Sequence, residues 1–183
     1  MAVPSNQLSR TVSYILRHEP WLYELELDEE GWVPIDAMLD ALRAKGSLWQ
    51  TVERADLVRM ISQSSKRRHE IIDGRIRALY GHSVAGRMVR TVVIPPERLF
   101  HGTSPSAWKW IAVEGLRPMG RQYVHLSFDE VTARQVGKRK STTPVLLVVR
   151  AGEAHEAGIP FWGGNDVVWL AERIPARFLA RVA

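Results

Sequence analysis

The sequence predicts an α+β fold in two lobes, a helical lobe closed by a β-hairpin followed by a mostly β lobe. Three observations carry that prediction. Apolar residues recur at helical spacing in three early segments, around Leu8, Met38 and Leu57. The period then changes to two short segments flanking Asp73-Gly74, a pair suited to a two-residue hairpin turn. Beyond Pro95-Pro96 the pattern is mixed, with a continuous apolar run from Val145 to Val149 of the kind a strand buried on both faces requires.

In chain order, Ser5-Asn6 offers side-chain oxygens to the unpaired amides of a first helical turn, and Leu8, Val12, Ile15 and Leu16 form the stripe behind it. This helix is expected to stop near His18, because Glu19 precedes Pro20 and is steered away from helical angles. A second helix fits Ile35 to Ala44, with Met38, Leu39 and Leu42 inward and Gly46 as terminator. A third fits Glu53 to Gln63 on Leu57, Met60 and Ile61. His69 to Ile72 and Arg75 to Ala78 then make the hairpin. Helices followed by a hairpin give a winged-helix-like lobe, an architecture that commonly binds nucleic acid without establishing that function by itself. We expect lobes over 1–90 and 91–183, with Pro95-Pro96 punctuating the boundary. In the second lobe Ser104-Pro105 opens a helix carrying Trp108, Ile111 and Ala112 that Gly115 closes. Tyr123 to Ser127 reads as a strand, Asp129 to Val136 as a short helix, and Val167 to Leu170 and Phe178 to Val182 as further strands. Trp32 and Trp169, expected in apolar strands, read as core residues.

Composition narrows the chemistry. The 183 residues are 45% hydrophobic and 25% charged, an ordinary globular balance. Cysteine is absent, which excludes disulfides, thiolate metal sites and cysteine nucleophiles. No apolar stretch is long enough to span a bilayer, and the start lacks the order of a secretory signal, so a cytoplasmic protein is expected. The net charge is +5, unevenly distributed. Glu19 to Asp40 holds eight acidic residues and no Lys or Arg, whereas Arg54 to Arg90 carries a net +6. Of 25 basic residues, 20 are Arg, whose planar fork suits phosphate better than a lysine point charge. A localised basic block of this kind is either a nucleic-acid footprint or a solvated face. Neither a Gly-x-Gly-x-x-Gly nor a Walker loop is present, nor His-Glu-x-x-His, nor Gly-x-Ser-x-Gly. No metal is expected.

Five polar clusters fall at predicted element ends. They are Arg17-His18; Lys66-Arg67-Arg68; Arg75-Ile-Arg77 with Gly81-His82-Ser83; His101-Gly102-Thr103; and Arg121 to Ser127. Taken singly, Arg17-His18 has a plain alternative as a complement to the helix dipole, and Lys66-Arg68 as a solvated turn. In the last cluster Arg121, Tyr123 and His125 alternate onto one face of the expected strand.

Together, in this order and spacing, these clusters resemble the NAD-dependent RNA 2′-phosphotransferases, a family known for its action on spliced tRNA. The resemblance runs from Leu16-Arg-His18 to Val167-Val-Trp-Leu170 and includes Asp28 to Pro34, Gly115-Leu116 and Met119. It implies a winged-helix RNA lobe and an ADP-ribosyltransferase-like, mixed or antiparallel β lobe, with NAD as co-substrate and an RNA bearing an internal 2′-phosphate as partner. The family's reaction joins the 2′-phosphate to the nicotinamide ribose, expelling nicotinamide. The neighbouring ribose hydroxyl then attacks phosphorus, giving 2′-hydroxyl RNA and ADP-ribose 1″,2″-cyclic phosphate. The family's essential tetrad maps onto Arg17, His18, Arg68 and Arg121. By resemblance, His101, Gly102 and Thr103 meet the adenosine side of NAD, and His125 and Ser127 the nicotinamide-ribose side. Gly81, His82 and Ser83 line the phosphate or RNA side, and Arg75 and Arg77 are candidates for RNA contact. Val168 stands where many ADP-ribosyltransferases place a glutamate, which suits a nucleophile that is already an anion.

Where the family usually has Asn-Asp, Phe, Asn-Gln and His, this chain has Ser64-Ser65, His69, Leu79-Tyr80 and Tyr123. These departures are expected to adjoin the cleft without touching the tetrad. Two other classes fit part of the inventory. One is an ADP-ribosyltransferase acting on phosphorylated nucleic-acid ends. The other is a non-catalytic winged-helix regulator sensing NAD or ADP-ribose. The presence of all four tetrad residues separates them from the first reading. If His18 protonates the leaving 2′-oxygen, His18→Ala accumulates a 2′-phospho-ADP-ribosylated RNA while nicotinamide release survives. Mass analysis of the RNA alongside a nicotinamide assay checks this, and joint loss of both steps contradicts it.

Overall fold

The computed structural model describes residues 3–182 and is a mixed α+β protein with two antiparallel sheets and six α-helices among the described residues. The chain divides into two compact units between Val89 and Arg90, so Pro95-Pro96 lies inside the second.

The first unit holds α1 (Ser5–Arg17), α2 (Ile35–Arg43) and α3 (Arg54–Ser62) around a three-stranded sheet of β1 (Val33–Pro34), β2 (His69–Ile72) and β3 (Arg75–Ala78), ordered β1-β3-β2. The expected stripe of α1 is buried in full: Leu8, Val12, Ile15 and Leu16 share a core with Met38, Leu42, Leu57, Met60 and Ile76. Its cap differs from expectation. Pro4 occupies the N-cap without a side-chain hydrogen bond, and Asn6 instead accepts from the Gln7 amide at 2.7 Å. Proline's fixed φ starts the helix where a capping oxygen was expected. α3 is closed by a reciprocal capping box in which Glu53 and Asp56 satisfy each other's backbone amides. Asp73 and Gly74 take φ of 47° and 73°, the left-handed pair that a two-residue hairpin demands. The third strand, β1, is only two residues long and carries no legible period, and Trp32, expected within a strand, precedes it.

The second unit is a six-stranded antiparallel sheet, ordered β7-β8-β5-β4-β6-β9. Its strands are β4 (Arg98–Thr103), β5 (Val124–Ser127), β6 (Val145–Arg150), β7 (Phe161–Gly163), β8 (Val168–Ala171) and β9 (Leu179–Arg181), with helices α4 (Pro105–Glu114), α5 (Glu130–Gly137) and α6 (Ala151–Glu156). Ser104 caps α4 by accepting from the Ala107 amide at 3.2 Å, and Asp129 caps α5 by accepting from Thr132 at 2.7 Å. β4, α6 and β7 were not legible in the sequence. β4 follows a diproline, and β7 is only three residues long. The last strand begins at Leu179 because Ala176–Phe178 forms a 3-10 turn. β5 starts at Val124, so Arg121 precedes the strand, in the bend after Pro118, and does not alternate with His125 as expected. No helix of the described residues is long and apolar enough to cross a membrane.

The middle of this sheet depends on a close approach. A Cβ placed on Gly102 in β4 would lie 1.9 Å from the Ala133 carbonyl oxygen and 2.8 Å from the Gly137 amide of α5. Both are backbone atoms, so neither can swing aside. Gly102→Ala is therefore expected to destabilise the protein by about 2–3 kcal/mol through overpacking, read as a lowered midpoint in urea unfolding with an unchanged slope.

Candidate functional site

In the first unit the polar face of α1 opens onto a cleft of about 700 Å³ that includes Arg10, Ser13, Arg17, His18, Ser64 and Arg68. Ser9, Ser13 and Arg10, Tyr14, Arg17 recur at helical spacing opposite the buried stripe. That periodicity is the signal in the sequence that marks Ser9, Arg10 and Ser13. The cleft gathers three guanidinium groups, one imidazole and five serine hydroxyls, and no carboxylate lines it.

Uncharged groups support these cations. An Arg17 Nη2–H points to the Arg68 carbonyl at 3.5 Å, and the Arg17 guanidinium lies 5.0 Å from the centre of the Tyr80 ring. Gly81, at φ +92°, leaves the space beside the Arg17 side chain open; a Cβ there would come within 3.4 Å of Arg17 Cδ. Arg68 donates from Nη1 to Ser64 Oγ at 3.4 Å. His18 caps α1, and its Nδ1 lies 2.8 Å from Ser83 Oγ, while the Ser83 amide donates to the Arg17 carbonyl at 2.8 Å. The clusters at residues 17–18, 64–68 and 80–83 thus converge. This corrects the expectation that the departures stay clear of the tetrad: Tyr80 stacks on Arg17, and Ser64 bonds Arg68.

His69, another departure, is 2% exposed, and its Nε2 lies 2.9 Å from Ser13 Oγ. Burial, reinforced by the charges of Arg17 and Arg68, pushes its pKa down from 6.5 to about 3. The ring stays neutral and adds no further positive charge beneath the cleft.

Arg75 and Arg77 differ from the cleft arginines. Arg75 pairs with Asp28 at 3.1 Å. Arg77 pairs with Glu70 at 2.6 Å and Glu30 at 3.0 Å and lies 4.3 Å from the Trp32 ring centre. The acidic stretch and the basic block of the sequence therefore neutralise one another here. His82 is buried at 2% exposure, close to Gly31.

In the second unit His101 and His125 sit on β4 and β5. His101 donates through Nδ1 to the His125 carbonyl at 2.9 Å, and His125 through Nδ1 to the Tyr123 carbonyl at 3.0 Å. Desolvation lowers the His101 pKa, against the opposing pull of that carbonyl, with Lys140 adding to the lowering. A neutral His101 with its Nδ1 proton committed presents Nε2 as an acceptor. Thr103 and Ser127 are buried, and Ser127 faces Val168 in the β5–β8 register. Tyr123 is packed against Trp162, ring centres 4.8 Å apart. Arg121 is exposed and forms no ion pair among the described residues. No group of three His, Asp or Glu able to hold a metal occurs among the described residues.

A family model described as "RNA 2'-phosphotransferase, Tpt1 / KptA family" matches residues 4–173. The chain belongs to this family. It is 51% identical over 173 residues to a probable RNA 2′-phosphotransferase of Bacillus thuringiensis subsp. konkukian, covering 94% of this chain and 93% of that protein. It is 52% identical over 174 residues to one of Acetivibrio thermocellus, covering 95% of each. Against one of Streptomyces griseus subsp. griseus it is 40% identical over 182 residues, covering 94% of each.

Because the folded chain refuses a proton at His69 that the unfolded chain accepts between pH 6.5 and about 3, the stability tied to the neutral ring is full above 6.5. It erodes as pH falls through that window, by up to about 1.4 kcal/mol per pH unit. His69→Gln is expected to flatten the fall in stability between pH 6.5 and 4, measured by urea unfolding at stepped pH.

Proposed function

We propose that this protein transfers an internal 2′-phosphate from RNA to NAD, leaving a 2′-hydroxyl RNA. The observation that carries the reading is the cleft in which Arg10, Arg17, His18 and Arg68 are gathered with serine hydroxyls and without a carboxylate. Guanidinium groups in a cleft lined by no carboxylate suit a phosphate dianion, and hydroxyls add donors to its oxygens. NAD, when bound, supplies the ribose carbon and the neighbouring hydroxyl that take the phosphate on, with nicotinamide as the leaving group.

The chain's own residues then divide the work. Arg17 and Arg68 bind and orient the 2′-phosphate and offset charge as it builds on the phosphoryl oxygens. His18, steadied at Nδ1 by Ser83 Oγ, directs its other nitrogen to the RNA 2′-oxygen and protonates it as it leaves. Gly81 and His82 shape the wall on that side. Arg121 is assigned to the same reaction as the fourth member of the family's tetrad. His101 Nε2, an acceptor on a neutral ring, fits a ribose hydroxyl, so His101, Gly102 and Thr103 are assigned to the adenosine side of NAD. His125 and Ser127 are assigned to the nicotinamide ribose. Val168 brings no carboxylate opposite Ser127, in keeping with a phosphate nucleophile that needs no base. On the same reading the first unit, three helices and a hairpin, is the winged-helix-like RNA lobe, and the six-stranded sheet is the ADP-ribosyltransferase-like lobe.

Incubation of a 2′-phosphorylated oligonucleotide with NAD, followed by mass analysis of both products, tests the reading. The expected result is dephosphorylated RNA with a cyclic phosphate of ADP-ribose; unchanged RNA in the presence of NAD overturns it. Arg17→Ala, Arg68→Ala and Arg121→Ala each lower kcat by about 100-fold or more. Arg75→Ala and Arg77→Ala, whose charge is already shared with carboxylates, act on RNA binding and change kcat/KM by less than about tenfold.

A further inference from the structure

The second unit carries a hollow of about 570 Å³ that none of the residues assigned to phosphate or NAD lines. Its walls come from α4, α5, the segment leading into β6, and β9. Lys109, Arg134, Lys138 and Arg181 project into it, and no acidic residue is among its lining. None of these four cations forms an ion pair with a carboxylate among the described residues, whereas Arg43, Arg59, Arg67, Arg75, Arg77, Arg117 and Arg150 all do. Four like charges facing one space repel one another, and an anion relieves that repulsion. Between the cations the surface is apolar: the half-buried Trp108 indole, Pro105 and Pro144, with the Thr143 hydroxyl beside them.

From this arrangement we propose a second RNA contact, in which one nucleotide of a single strand lays its base against Trp108 and Pro144 and its flanking phosphodiesters against Lys109, Arg134, Lys138 and Arg181. Size and chemistry favour a nucleotide unit over a lone phosphate. The hollow falls in the range that holds a small organic ligand, far more than one phosphate fills. Its cations come from two helices and a strand, so they spread along a backbone instead of converging on one centre. An aromatic floor with a basic rim is the arrangement by which proteins hold single strands without reading sequence. The proposal rests on the RNA 2′-phosphotransferase reading for the identity of the polyanion, not for the existence of the site.

The test uses the full chain and a fluorescein-labelled single-stranded 12-mer RNA with no 2′-phosphate and no NAD, followed by anisotropy at stepped salt. Arg134→Gln/Lys138→Gln is expected to weaken binding about tenfold. It should also shrink the slope of log affinity against log salt by about 1.4, at about 0.7 per phosphate contact on a single strand. The single variant Arg181→Gln gives a smaller loss in the same direction, and thermal melting confirms that each variant is folded. With substrates, the double variant raises KM for a 2′-phosphorylated 12-mer while a 2′-phosphorylated dinucleotide is turned over as before. Wild-type affinity and salt slope in both variants overturn the proposal, as does binding of inorganic phosphate or a mononucleotide in the hollow without competition from the 12-mer. Because the anisotropy arm needs neither NAD nor a 2′-phosphate, a protein that loses RNA affinity as expected yet turns over nothing refutes the catalytic reading alone.

Discussion

Guanidinium groups gathered in one cleft need acceptors that do not cancel their charge, and the first unit supplies such acceptors beside its cleft. Arg17 is steadied by the Arg68 carbonyl and the Tyr80 ring, and Arg68 by the Ser64 hydroxyl. A carboxylate at any of these places would bind the cation more tightly and leave less field for a substrate. The Ser13–His69 pair serves the same end from below, since the buried ring stays neutral where a charged one would add to the repulsion. Local backbone geometry makes this possible: the end of α1 delivers Arg17 and His18 side by side, and the left-handed Gly81 keeps the chain clear of the Arg17 side chain.

The same unit shows the opposite treatment of arginine a short distance along the chain. Arg75 and Arg77 belong to the hairpin and are tied to Asp28, Glu30 and Glu70, with the Trp32 ring beneath them. These ties connect the hairpin to the turn before β1, where Asp28 also accepts from the Glu30 and Trp32 amides. Arginines that look alike in sequence are thus divided by their partners into those that hold the fold and those that face the cleft. Part of the uneven charge of the sequence, acidic then basic, is the record of the first kind, since Arg75 and Arg77 reach back to Asp28 and Glu30.

What was legible followed from periodicity and turn chemistry. The stripes of α1, α2 and α3 are long enough to fix both element and buried face, and Asp73-Gly74 fixes a hairpin whose strands end where the pattern says. What was missed lacked either length or contrast. β1 and β7 are two and three residues long, and β4 hides behind Pro95-Pro96, whose signal for punctuation outweighed the apolar residues after it. Arg121 looks like part of a strand face because alternation continues backward past the true start of β5; hydrogen-bond register, invisible in the sequence, sets that start. The tetrad positions came from motif resemblance, but their supports did not. Tyr80 and Ser13 are ordinary residue types whose roles depend on contacts distant in sequence, such as the pairing of Ser13 with His69, 56 positions on.

Gly102 shows how little of the second unit's central geometry is left to side chains. Where α5 rests on β4 there is no intervening layer of methyl groups, only main-chain atoms of Ala133 and Gly137 against a bare α-carbon. At Gly102 the approach is limited by main-chain atoms and not by side chains. Substitutions elsewhere in the core can therefore drift without altering the spacing between the strand that carries His101 and the helix behind it, so the seam works as a fixed gauge block for whatever ligand the strand meets.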